Sequence, residues 1–228
     1  VRASRANRLP GPAFPLSSRR CSVINPHFST KERILSAAED LFAKSGFAGA
    51  SLRQVTSAAN VNLAAVNYHF GSKENLINEL FKRRLDDLTG ARMAALDKVK
   101  SARQPTLEAV LEAFVQPALS LASDRGGGSS FVRLLARAFA EHDQRLRRFV
   151  SDNYGHVLKE FAKVIAHLLP HLSKDALYWR LDFVSGALTY AMSDFGMIKK
   201  PAGISDEQHR RTAAEHFVRF AAAGLRAP

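Results

Sequence analysis

The chain reads as all-α, and three observations carry that prediction. From Ser29 onward, apolar residues recur at three- and four-residue spacing in segment after segment. Residues suited to helix N-caps stand at Ser29, Ser51, Asn62 and Ser72. Glycine or proline punctuates the segments, at Gly46, Gly71, Pro105, Pro170 and Pro201.

With 228 residues, 46% of them apolar and 24% charged, the chain is long enough for a full core and has the balance of a soluble globular protein. No run approaches the roughly eighteen uninterrupted apolar residues that a membrane span requires. The formal charge of +12 suggests a polyanionic partner, but its distribution qualifies that reading. Arg2, Arg5, Arg8, Arg19 and Arg20 lie in an acid-free start, whereas Lys31 to Leu80 is balanced. Cys21 is the one cysteine, so no internal disulfide forms and a cytoplasmic location is expected.

Residues 1–28 show no sustained period and read as a disordered basic tail. The first helix is expected to open at Ser29 or Thr30, with Ile34, Leu35, Ala38, Leu41 and Phe42 inward, and to stop at Gly46. Phe47 then covers the end of the core. Ser51 and Gln54 form a capping box for a second, short helix, and Asn60 suits a left-handed corner. Asn62 caps a third helix to about Tyr68, with Leu63 and Val66 buried and Ala64 and Ala65 keeping its flank slim. Two short helices joined by a tight turn make a helix-turn-helix, placed here over residues 29–80.

The third helix carries matching chemistry. Asn67 offers an amide for an adenine edge, and Tyr68 and His69 offer donors for phosphate oxygens. Gly71 ends the helix, Ser72 caps the next, and Lys73 joins its first-turn amides in a natural phosphate site. A double-stranded DNA partner is the expectation.

Residues 30 to 80 resemble the DNA-binding domain of the TetR family of bacterial transcription regulators, on the run ILSAAEDLFAKSGFAGASLRQV and the close YHFGSKENL. The resemblance implies phosphate contacts from Ser51, Tyr68, His69 and Lys73, and groove contacts from Arg53, Asn62, Ala64 and Asn67. Two positions depart from the pattern: Asn60 stands where glycine is frequent, and Asn67 where a phosphate-binding tyrosine is frequent. Asn67 is therefore left between base reading and backbone contact. The run VNLAAVNYHFGSK further resembles a fatty-acid-responsive subgroup of the family.

Residues 81–228 are expected to form a larger helical domain for effector binding and dimerisation. A long helix carries Leu76, Ile77, Leu80, Phe81, Leu85 and Leu88 to about Val99, with a bend at Gly90. A helix begins near Pro105 and is kinked by Pro117; the run DRGGGSS then breaks the chain without the residues of a phosphate loop. Helices follow over 129–142, 143–169, 173–198 and 205–225. Apolar helices around an incompletely filled centre can enclose a hydrophobic ligand, and the resemblance implies an effector pocket in this body. Phe114, Phe131, Leu135, Trp179 and Phe183 are its candidates.

The last two helices present a stripe of Leu177, Leu181, Val184, Leu188 and Ala191, and another of Phe217, Phe220 and Gly224 beside Gly186 and Ala221. A further apolar face around Tyr178, Ser185 and Met192 suggests a partner helix, and the resemblance implies a homodimer on a palindromic operator. Catalytic readings find little footing. His167 and His171 lack a third ligand, and no nucleophile motif is present, so no enzyme, cofactor or metal is expected. The expected function is a ligand-responsive repressor released by a fatty acid or acyl-CoA. The rival is a helical lipid-binding protein or enzyme without DNA-binding activity.

Overall fold

A computed structural model describes residues 29–122, 128–140, 144–192 and 200–227, all of it helix and connecting turn. The basic tail with Cys21, most of the DRGGGSS break and residues 193–198 of the predicted penultimate helix lie outside the described residues.

The first helix, α1 (Thr30–Gly49), begins in a complete capping box between Ser29 and Glu32. At Gly46 the backbone turns to φ 74°, a conformation that suits glycine and ends the regular helix where the sequence predicts. Phe47 then folds back over the core, tilted against Phe42 and Phe81 with ring centroids 5.8 and 6.3 Å away. α2 (Leu52–Ala59) opens in the Ser51–Gln54 capping box and ends at Asn60, the left-handed corner with φ 51°. α3 (Leu63–Phe70) is capped by the Asn62 side chain, which accepts from the Ala65 N–H at 2.8 Å.

α4 (Lys73–Lys100) has 28 residues, about 42 Å at the usual rise per residue. It passes through Gly90 without a break in the helix. α5 (Leu107–Ala122) is likewise continuous through Pro117. α6 (Gly128–Ala140), α7 (Gln144–Leu168), α8 (Lys174–Met192) and α9 (Asp206–Arg226) complete the body.

One apolar core runs from the small N-terminal head into the body. Phe81, on α4, is fully buried and meets Phe131 of α6 edge-on at 5.3 Å, so the predicted boundary at residue 80 falls inside a continuous helix and a continuous core. Phe131 is thus packing, correcting its assignment to a ligand pocket: with no exposed surface, it has no face to offer a guest.

A charged contact joins α1 and α4. Arg84 Nη2 lies 3.2 Å from Glu39 Oε2, and both side chains are almost wholly buried. Burial pushes the Glu39 carboxyl above its ordinary value, although Arg84 pulls the other way. Neither residue stands out in the sequence, where both look like ordinary members of a charged helix face.

Candidate nucleic-acid interface and ligand cavity

In the head, local hydrogen bonds hold the helix-turn-helix in shape. Arg33 of α1 donates from Nη2 to the carbonyls of Ala59 and Asn60 at 2.6 and 2.7 Å, fixing the end of α2. The Val61 N–H closes the corner on Thr56 at 3.0 Å. α3 then points Val66 and Phe70 inward and leaves Asn62, Ala64, Asn67, Tyr68 and His69 exposed along one short helix. Tyr68 is 86% exposed and meets His69 edge-on at 5.1 Å. Ser51 and Arg53 at the start of α2 are exposed beside them in sequence.

Two expectations for this region change. Leu63 is 41% exposed instead of buried, because Asn62 caps the helix and puts Leu63 on its first turn, before the face set by Val66 and Phe70. Lys73 is turned inward. Its ammonium donates to the Phe47 and Ala50 carbonyls, the latter at 2.6 Å, and lies 5.8 Å from the centre of the Phe42 ring. Those carbonyls end α1 and its following turn, where a cation is favourable. The side chain therefore ties α4 to α1 instead of facing outward.

In the body, side chains of α4, α5, α6, α7 and α8 surround a cavity of about 440 Å³. Phe114 and Leu135, two of the predicted residues, line it, together with Leu85, Leu88 and Arg92 of α4 and Tyr154 and Leu158 of α7. Arg92 Nε donates to the Phe114 carbonyl at 2.9 Å, and its guanidinium carbon sits 3.7 Å from the centre of the Phe114 ring. Tyr154 donates its phenolic proton to Asp86 at 2.8 Å, while Asp86 also pairs with Lys82 at 2.6 Å. Burial and the Asp86 carboxylate both push the Tyr154 phenol upward. Asp86 itself is held below the usual carboxylate range by its bonds from Lys82 and Tyr154.

Trp179 and Phe183 do not reach this cavity. They are 64% and 65% exposed on the outside of α8, their rings tilted against each other with centroids 5.9 Å apart. Ser185 and Met192, expected on a partner-facing stripe, line the cavity instead. Helical spacing gives the faces of α8 but not which one turns inward; the leucine stripe at 177, 181 and 188 takes the core and sets the rest. Among the described residues no group of three or more metal-ligating side chains occurs. No helix among the described residues is long and apolar enough to cross a membrane.

Two family descriptions match the sequence: bacterial regulatory proteins, tetR family, over residues 34–80, and the tetracyclin repressor-like C-terminal domain over residues 112–224. The chain belongs to the TetR family. It is 43% identical over 47 residues, 21% of this chain and 22% of the relative, to the HTH-type transcriptional repressor NicS of Pseudomonas putida. The chain spans less than a third of the length of the curated relatives it matches. A TetR family regulator from Shewanella sp. PV-4 shares the fold with a TM-score of 0.61 at 21% identity, covering 87% of this chain and 96% of that one. The fatty acid degradation regulator FadR from Bacillus halodurans has a TM-score of 0.61 at 17% identity, covering 90% of this chain and all of that one.

The N-terminal family match stops at residue 80, whereas α4, in which that residue lies, runs on unbroken into the body. Arg33 and Arg92 are the residues that the sequence reading missed. Arg33 carried no signal beyond its charge. Arg92 did carry one, since it falls on the apolar stripe Phe81, Leu85, Leu88, Leu96, where a helix normally buries hydrocarbon.

Proposed function

We propose that the protein is a ligand-responsive transcriptional repressor. As a homodimer it holds a palindromic double-stranded operator and releases it when a hydrophobic effector, such as a fatty acid or acyl-CoA, fills the body cavity. The observation that carries this reading is the double duty of α4. Its first residue follows the cap at Ser72, directly behind the recognition helix, and about three to five turns later it supplies Leu85, Leu88, Thr89 and Arg92 to the cavity wall. A ligand that shifts this wall moves the rod that carries the head. Release also requires that the ligand bind the two body arrangements with different affinity.

On the DNA side, Arg53, Asn62, Ala64 and Asn67 enter the groove and Ser51, Tyr68 and His69 grip phosphate, supported by their exposure on α2, α3 and their caps. The dimer is supported by the uncovered aromatic face of α8 and α9. Trp179, Phe183, Tyr190 and Phe220 are all largely exposed, and Gly186 and Gly224 have open space beside them. Aromatic groups in this density normally mark an interface.

Fluorescence anisotropy with DNA from upstream of the protein's own coding sequence tests the reading. Tight, salt-sensitive binding that weakens on adding a long-chain acid or its thioester is expected. Failure of the full chain to enrich any fragment in a genomic DNA selection would reject it.

A further inference from the structure

The cavity wall contains a guanidinium with no anion against it. Arg92 sits on an α4 stripe whose other members, Leu85, Leu88 and Leu96, are buried hydrocarbon. Its Nε bond to the Phe114 carbonyl and its stacking on the Phe114 ring hold the group in one plane. That hydrogen bond uses one of the five N–H donors of an arginine, so the fork that recognises planar anions remains for another partner. No carboxylate among the described residues pairs with it. Burial alone pushes its pKa down to about 9, which leaves it charged at neutral pH. An uncompensated cation half withdrawn from water is costly, and a bound anion would relieve that cost. Among the described lining residues the other charged groups are Asp182 and Arg147, of opposite sign, so the lining carries a net positive charge.

We propose that Arg92 is an anion seat and that the effector is a free organic acid with an apolar body. This deepens the reading of the cavity as an effector site and rests on it. The carboxylate lies on the guanidinium fork, with the hydrocarbon against Leu85, Leu135, Leu158 and Met192. A thioester of the same acid fits less well, because its acyl carbonyl carries no charge. A volume of about 440 Å³, toward the lower end for small-molecule sites, also leaves a coenzyme nucleotide outside. Because Arg92 belongs to α4, the acid would pull directly on the helix that carries the head.

The test is isothermal titration of the full chain with straight-chain and aromatic carboxylic acids, each beside its alcohol and its coenzyme A thioester. At least one acid is expected to bind the wild type about tenfold or more tighter than its alcohol. Arg92→Met should weaken that acid by about ten- to a hundredfold, as loss of charge-assisted hydrogen bonds does, and leave the alcohol nearly unchanged. Arg92→Lys, which keeps the charge but not the fork, should fall between. Equal binding of every acid and its alcohol by the wild type overturns the proposal without any variant, as does equal weakening of both by Arg92→Met. Tight binding of thioesters alone also overturns the seat, yet leaves a responsive regulator standing. Acid binding that depends on Arg92 but leaves operator occupancy unchanged upholds the seat and removes the repressor reading.

Discussion

The head and the body place polar chemistry in opposite settings. In the head, Asn67, Tyr68 and His69 stand exposed on an eight-residue helix, and their neighbours in sequence orient them. In the body, Arg92 and Tyr154 are partly withdrawn from water on a wall built by five helices. A surface that meets a polyanion can remain hydrated until contact. A cavity that selects a small molecule must instead exclude water and hold its few polar groups in advance. The head is therefore a local device and the body a cooperative one. α4 begins directly after the cap behind α3 and runs on to supply one wall of the cavity.

The strongest way to break this arrangement is at the seam. Arg84→Met leaves Glu39 buried without its partner and is expected to cost about 3–5 kcal/mol in denaturant unfolding. The double variant with Glu39→Leu should recover most of that loss. If the single variant costs under about 1 kcal/mol, the pair does not join head to body.

Lys73→Ala sharpens the comparison inside the head. It removes two charge-assisted hydrogen bonds to the end of α1 and should cost roughly 1.5–3 kcal/mol of stability. The slope of operator affinity against salt should stay unchanged. A slope lowered by about 1 would instead return Lys73 to the phosphate backbone.

Asn67→Ala is a test of placement on the exposed face. A base-reading amide predicts a loss of roughly 1–3 kcal/mol confined to one base pair of the operator, measured by competition among single-base variants. Uniform weakening across all variants would assign Asn67 to the phosphate backbone.

The smallest effect belongs to the body's outer surface. Glu108 of α5 accepts from Arg226 of α9 at 2.5 and 2.9 Å, which holds its carboxyl below the usual carboxylate range. A depressed folded value means stability present above the unfolded value, near about 4.3, and lost as pH falls through the lower folded one. The wild type should therefore melt above Glu108→Gln at pH 6, with the gap closing as pH falls below that unfolded value. A gap that is constant with pH would show that the ion pair does not contribute. Both side chains are about half exposed, so added salt should narrow the gap.

Most of the head was legible because its determinants are separated by three or four residues. The Ser51–Gln54 capping box, the glycine stop at Gly46 and the left-handed Asn60 are such local signals, and each falls where the sequence places it. Leu63 misled because it stands on the first turn, where the inward face is not yet established. Lys73 misled because its partners, Phe47 and Ala50, lie more than twenty residues earlier.

The body was legible as helices and not as a site. Phe114 and Leu135 reach the cavity, whereas Phe131 is sealed in the core and Trp179 and Phe183 face outward, although all five are large apolar residues on helices. Periodicity fixes which residues share a face. It says nothing about which neighbour that face meets, since the rotation of each helix is decided by packing against several others at once. By itself, then, the sequence determined the helices, their caps and the exposed recognition surface, because those depend on contacts along the chain. Only the tertiary structure decided that Arg92 would line a cavity, that Glu39 and Arg84 would be buried together and that an aromatic face would stay open. Each of these depends on groups distant in sequence sharing one volume from which water is excluded.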